Sequence, residues 1–190
     1  MRILRRIHFW EITLLCIYLV STGISGEITI DDCEDGDGYT YALGRWYTFN
    51  DNADGGASLV TPHISPEDTG MTPMVSPGFA SDYAARIEFS LYQGTMNQYP
   101  YTGIGLYTNI DGADLSGMTG LRFLYTGAAS RLRVMLSSIA DSGHYYINIP
   151  SASDWTPFEI TWEDLVQPSE ADSVPFDYPG YYRFGVDSTG

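Results

Sequence analysis

The chain contains no lysine: all nine of its basic residues are arginine, set against 24 acidic ones, for a formal net charge of −15. A surface this negative repels phosphate backbones and anionic headgroups, which argues against nucleic acid and acidic membranes as partners. Cysteine is nearly absent, with Cys16 and Cys33 alone. Histidine is rare too, and neither His63 nor His144 has a second imidazole close in sequence, so no Cys/His zinc set can be drawn. There is no G-x-S-x-G elbow, no H-E-x-x-H and no Cys/His couple, the marks of common hydrolytic sites. No apolar run reaches the about 20 residues that span a bilayer.

The one concentrated apolar stretch, Ile12–Val20, follows Arg2, Arg5 and Arg6 and precedes Ser21-Thr22-Gly23-Ile24-Ser25-Gly26. A basic start, a short apolar core and a run of small residues read as a secretory signal peptide over residues 1–26, which predicts a secreted or cell-surface protein with no membrane contact once the leader is cut. Its removal would take three arginines and one acidic residue, leaving six and 23, with Cys33 as the sole thiol and no internal disulfide possible. The roughly 160 residues that follow suffice for one domain, 27–190, with a core of its own.

What the chain does have is aromatic residues and short alternating runs. Fifteen tyrosines and four tryptophans are spread along it. Ile28–Ile30, Arg45–Phe49, Ala84–Leu91, Thr102–Tyr107, Gly120–Tyr125, Arg131–Ser137, Tyr145–Ile149, Phe158–Trp162 and Tyr181–Val186 each read as a strand bounded by Gly, Pro, Asp or Ser. In Arg131–Ser137 the apolar Leu132, Val134 and Leu136 alternate with Arg131, Arg133 and Met135, giving one core face and one face with two guanidiniums. In Arg45–Phe49, Trp46 points one way and Tyr47 and Phe49 the other; alternation leaves open which set is core. Residues 61–82 carry Pro62, Pro66, Pro73 and Pro77 and read as a long surface excursion. The pattern predicts an all-β antiparallel sandwich with very little helix.

The central stretch also resembles a known family. The tyrosine-rich loop at 99–101 is followed by Gly103-Ile104-Gly105-Leu106, Asp114-Leu115-Ser116-Gly117, Gly120-Leu121-Arg122-Phe123 and Tyr125-Thr126-Gly127. This order is similar to that of the galactose-binding-like jelly-roll carbohydrate-binding modules of the family 11 type, and to the complex I intermediate-associated protein 30 domains. Ile30-Asp31-Asp32-Cys33-Glu34-Asp35-Gly36 resembles their opening strand, with Cys33 where they carry an apolar aromatic. Trp155-Thr156-Pro157-Phe158 and Ile160–Pro168 resemble their late strand and turn. The resemblance implies a non-catalytic, monomeric module of a larger protein that tethers an enzyme or a cell to polysaccharide of β-glucan type. It also implies one further strand beyond Gly190, making these 190 residues a fragment of a longer reading frame. The rival reading is an assembly or adhesion domain that binds protein through the same sheet, since Tyr and Arg serve protein interfaces as well.

Two candidate sites follow. The acidic run Asp31–Gly38 fails as an EF-hand loop, because Cys33 falls on a ligand position in either glycine register. It remains either a solvated turn or part of a discontinuous site, and the resemblance implies a structural Ca²⁺ held by Asp32, Glu34 and Asp54. For sugar, tyrosine and tryptophan rings stack on pyranose C–H faces while arginine offers a planar fork of donors to hydroxyls. Alternation places Arg133 and Tyr146 outward; Tyr99 and Tyr101 enter the central stretch from its loop, and Trp46 completes the expected set.

Overall fold

The computed structural model describes residues 10–20, 28–41, 44–95, 99–107, 118–136, 139, 143–168 and 182–189. The strands are β1 (Trp10–Val20), β2 (Ile28–Asp31), β3 (Arg45–Asn50), β4 (Leu59–Thr61), β5 (Met74–Val75), β6 (Ala84–Ser90), β7 (Tyr101–Tyr107), β8 (Gly120–Gly127), β9 (Ser130–Leu136), β10 (Tyr145–Ile149), β11 (Ala152–Thr161) and β12 (Tyr182–Thr189). The only helical elements among the described residues are two 3-10 turns, Asn52–Asp54 and Trp162–Asp164. Every strand pairing is antiparallel, and the strands form two sheets. The all-β antiparallel sandwich expected from the alternating runs is therefore the observed architecture. The Asp114–Gly117 turn and most of the acidic stretch after Pro168 lie outside the described residues.

One sheet has five strands in the order β10-β9-β12-β7-β3. The other has seven: β11-β8-β1-β6-β4 as its path, with β2 paired to β1 and β5 paired to β6. Alternation sorts the side chains. Leu132 and Val134 of β9, Ile104 and Leu106 of β7, Ile87 and Phe89 of β6, and Leu121, Phe123 and Tyr125 of β8 are buried in one apolar cluster. Their neighbours Arg131, Arg133, Glu88 and Arg122 stay at least partly in solvent. Burying a side chain of this size stabilises the fold by about 1.5–3 kcal/mol, so the interleaved cluster supplies most of the driving force.

A buried polar contact joins the sheets. Asp31, at the end of β2 and 2% exposed, accepts a hydrogen bond from the indole Nε1 of Trp46 on β3. It also accepts from the backbone N–H of Cys33 at 2.7 Å, and Cys33 sits in the left-handed region at φ 62°. Desolvation pushes the Asp31 carboxyl up to about 6, with the Trp46 and Cys33 hydrogen bonds working in the opposite direction.

The excursion after β4 is more ordered than its prolines indicate. Leu59–Thr61 and Met74–Val75 pair with β6, and the carbonyl of Pro73 accepts from Arg86 N–H between them. Further on, the Phe79 ring lies 5.8 Å from that of Trp155 on β11. The segment entering β6 thereby comes alongside β11, from which β1 and β8 separate β6 in the sheet. Thr13 is buried, at 5% exposure between core residues Ile12 and Leu14.

The sandwich also takes in residues upstream of position 27. Trp10–Val20, which composition reads as the apolar core of a leader, is a strand flanked on both sides. It pairs with β8 from Ile12 to Val20, and on its other edge first with β6 and then with β2.

Candidate functional site: a glycine-floored face of the five-stranded sheet

Register fixes what lies across the outer face of the five-stranded sheet. Tyr146, Arg133, Gly185, Gly105 and Tyr47 stand in one row across β10, β9, β12, β7 and β3. Asn148, Arg131, Asp187, Gly103 and Phe49 make the next. Three of the four central positions are thus Gly103, Gly105 and Gly185, which lack side chains, and the fourth is Asp187. A shallow trough results, with an arginine-rich bank on β9 and β10 and an aromatic bank on β3 and β7.

The aromatic bank is a continuous row. Ring centroids are 6.1 Å apart from Tyr107 to Tyr47, 6.1 Å from Tyr47 to Phe49 and 6.5 Å from Phe49 to Tyr101. The Tyr47 ring leans over Gly105 so closely that a Cβ there would come within 2.6 Å of it. At the Tyr107 end the excursion closes the row: the carbonyl of Pro66 accepts from Arg45 Nη1 at 3.2 Å and from the Tyr107 hydroxyl at 3.5 Å. At the other end the Tyr101 hydroxyl donates to Asp54, and its backbone N–H donates to Asp51 Oδ2 at 3.1 Å. Desolvation first, and the Asp54 carboxylate second, push the Tyr101 phenol up to about 12, so it stays a neutral donor.

Asp51 anchors that end. It is fully buried and accepts from Ser58 N–H at 2.9 Å and Ser58 Oγ at 2.7 Å as well as from Tyr101. Gly56 packs so tightly on its carboxylate that a Cβ would stand 2.0 Å away. The turn after β3 is thereby locked to the start of β7, which holds Tyr101 in place.

On the opposite bank the Arg131 guanidinium lies 4.3 Å over the Tyr146 ring, and its Nε donates to Asn148 Oδ1 at 3.3 Å. Arg131 and Asn148 open onto a depression of about 410 Å³ completed by Ala129, Ser130, Ile149 and Pro150. A stacked arginine cannot swing freely, so its remaining N–H groups are aimed before any ligand arrives.

The expected site residues divide. Arg133 and Tyr146 share a row on the outer face, as alternation indicated, and Tyr101 caps the aromatic bank. Tyr99 is 77% exposed in the loop before β7. Trp46 requires correction: it is 1% exposed in the core and its N–H is committed to Asp31, so it cannot reach a ligand on this face. Tyr47 and Phe49, the other half of the same alternation, take the outward side of the strand, with Phe49 partly exposed and Tyr47, at 7% exposure, packed against its neighbouring rings. Arg131, Asn148 and Tyr107 were also missing from the expected set, although the Arg-x-Arg and Tyr-x-Asn spacings placed the first two on the outward side.

The expected calcium ligands are not assembled. Asp32 accepts from Glu34 N–H at 3.0 Å and from the Tyr41 hydroxyl; Glu34 accepts from Asp82 N–H at 3.2 Å; Asp54 is engaged by Tyr101 in a different turn. Among the described residues no group of three or more His, Cys, Asp or Glu is arranged to hold a metal ion.

No protein-family profile matches the chain. Over 148 residues, 78% of its length, it is 31% identical to Endoglucanase 3 of Fibrobacter succinogenes (strain ATCC 19169 / S85), of which it spans 22%. Among solved structures, a family 11 carbohydrate-binding module from Clostridium thermocellum, in complex with a beta-1,3-1,4-mixed-linked tetrasaccharide, overlays with a TM-score of 0.44. The overlay covers 92% of this chain and 94% of that one at 12% identity. The chain is thus similar in sequence to about a fifth of an endoglucanase, and its nearly all-β fold has a family 11 carbohydrate-binding module as a structural neighbour.

Proposed function

We propose that the domain is a non-catalytic module that binds a β-glucan chain along the outer face of the five-stranded sheet. The observation that carries this reading is the trough itself: a glycine floor between a row of four rings and a bank of arginine, tyrosine and asparagine. A flat, hydroxyl-rich chain needs both kinds of wall. Its C–H faces stack on rings, and its hydroxyls take hydrogen bonds from fixed guanidinium and amide donors. Glycoside hydrolysis instead needs two carboxyl groups facing each other across the sugar, about 5–9 Å apart. The rings, guanidiniums and amide of the two banks suit holding a chain, and Asp187 is the one carboxylate position in the two rows.

Likeness to part of an endoglucanase supports a module that keeps a catalytic domain on its substrate. The leader-like residues 1–26 support an exported protein, acting outside the cell or on its surface as one module of a longer polypeptide.

Affinity electrophoresis tests the reading. Migration of the protein should be retarded in gels containing mixed-linkage β-glucan, with xyloglucan and a soluble cellulose derivative as comparisons. Arg131→Ala and Tyr146→Ala should each weaken retardation by roughly tenfold, equivalent to about 1.4 kcal/mol. Their melting temperatures should move little, since an exposed cation–π pair contributes about 0.5–1 kcal/mol. Absence of retardation in every glucan would overturn the proposal and leave the protein-binding reading of the same face.

A further inference from the structure

We propose that the trough takes a branched glucan: a neutral pyranose substituent on the β-glucan backbone seats in the depression beyond Arg131 and Asn148. The proposal rests on the glucan reading of this face and names which glucan the face is shaped for. The two sides of the trough differ in what they can hold. The rings of Tyr107, Tyr47, Phe49 and Tyr101 follow one another in a continuous row, so a sugar backbone can stack there from unit to unit. The depression offers no such row. Its lining residues are Ala129, Ser130, Arg131, Asn148, Ile149 and Pro150, none of them aromatic.

Register sets the distance between the two. Arg131 pairs with Asp187 and Asp187 with Gly103, the neighbour of Tyr101 on the outer side of β7. The depression and the last ring of the row therefore lie at the same end of the face. Two strand spacings, roughly 10 Å, separate β7 from β9. A chain on the rings turns its hydroxyls toward Arg131, and an unbranched chain ends its reach at that side chain. Ala129, Ser130 and Pro150 lie beyond it, where a one-sugar branch arrives.

The depression is fixed before a ligand arrives. It sits where the chain crosses between the sheets twice, from β8 to β9 and from β10 to β11. The Tyr125 hydroxyl donates to the Pro150 carbonyl at 2.8 Å and the Thr126 hydroxyl to the Ala152 carbonyl at 3.1 Å, so the end of β8 holds the second crossing in place. Within the first crossing the Ser130 hydroxyl donates to the Ala128 carbonyl at 3.0 Å. At about 410 Å³ the space is near the small end of the range in which proteins hold small ligands, roughly 300–1,000 Å³. That suits one branch and not a second length of chain. The guanidinium, the amide and the Ser130 hydroxyl can meet sugar hydroxyls, while Ala129 and Pro150 offer apolar surface to C–H groups. A net charge of −15 disfavours an acidic branch, which is why the substituent is neutral.

Calorimetric titration of the full chain with cellotetraose, and with the xylose-substituted oligosaccharide of the same backbone, tests the branch site. The substituted ligand should bind about tenfold more tightly. Ala129 is exposed, so Ala129→Phe fills the depression without entering the core. It should abolish the difference between the two ligands and leave the affinity for cellotetraose unchanged. In amide NMR spectra of the unaltered chain, Ala129 and Ser130 should shift on addition of the substituted ligand and stay in place with cellotetraose, a readout that holds even if the variant fails to fold. Equal affinity for the two ligands, a preference that survives Ala129→Phe, or amides of Ala129 and Ser130 that respond to both ligands or to neither would overturn the branch site and leave the glucan reading standing. Binding of neither ligand would overturn both.

Discussion

The two outer faces of the sandwich are finished in opposite ways. On the seven-stranded sheet the chain lays its own loop along one side: the excursion between β4 and β6 hydrogen-bonds along the edge of β6, and Phe79 reaches over to Trp155, while Glu88 and Arg122 stay in solvent. On the five-stranded sheet Gly103, Gly105 and Gly185 take three of the four middle positions, beside Asp187, and rings and guanidiniums stand at the sides. The same excursion contributes to both, since the Pro66 carbonyl closes one end of the aromatic row. A sandwich has two surfaces that could take a ligand, and what separates them is where the chain spends its own loops.

The sharpest way to break the comparison is to swap inside for outside on β3. Trp46→Ala should destabilise the fold by about 3–5 kcal/mol, the usual cost of deleting a large buried ring, with any loss of glucan retardation following the loss of fold in a melting experiment. If Trp46→Ala melts normally and loses only retardation, the faces of β3 are reversed.

The buried acid beneath that strand gives the next largest effect. Asp31 has a pKa of about 6 in the fold against 3.8 for the ordinary side chain. Between those values the folded state binds more protons than the unfolded one, so the contribution of Asp31 to stability falls as pH rises from about 4 to about 6 and then levels off. Two units correspond to about 3 kcal/mol. Asp31→Asn should remove this slope from denaturant titrations run between pH 4 and 7. An unchanged slope would show that Asp31 is not the group responsible.

Gly105→Ala tests the floor of the trough. The added methyl would meet the Tyr47 ring at 2.6 Å, so the ring must move. The expected cost is about 1–3 kcal/mol, with retardation in mixed-linkage glucan reduced further than the shift in melting explains. The smallest effect is expected on the covered face. Phe79→Ala should cost about 1 kcal/mol, the scale of a single aromatic pair, and leave retardation unchanged. A clear loss of retardation in Phe79→Ala would assign binding to the opposite sheet.

Much of this was legible in the residues because strand alternation is a local property. The runs at Ala84–Leu91 and Arg131–Ser137 named their own core sides, and Ile87, Phe89, Leu132 and Val134 are buried as expected. Arg45–Asn50 was harder because both of its faces are aromatic. The choice between them was made by Asp31, fifteen residues away in sequence, which offers an acceptor to the indole of Trp46. No pattern within the run contains that information. The short strands β4 and β5 were hidden by prolines and by their length, since both are defined by the edge of β6 rather than by their own composition. The expected metal ligands lie in separate turns, where each accepts from a nearby N–H or hydroxyl, and no local pattern shows whether such turns converge.

Cys33 carries one more consequence. Its side chain is entirely shielded, next to the buried end of β2 and held in a backbone conformation that few residues other than glycine adopt. A thiol in that position reacts only when the strand lifts away. In a Cys16→Ser background it becomes a stopwatch for local opening: the rate at which a bulky thiol reagent labels the native protein reports how often the Asp31–Trp46 link between the sheets comes undone. Mixed-linkage glucan bound to the distant trough should leave that clock running at its own pace unless the two sheets open together.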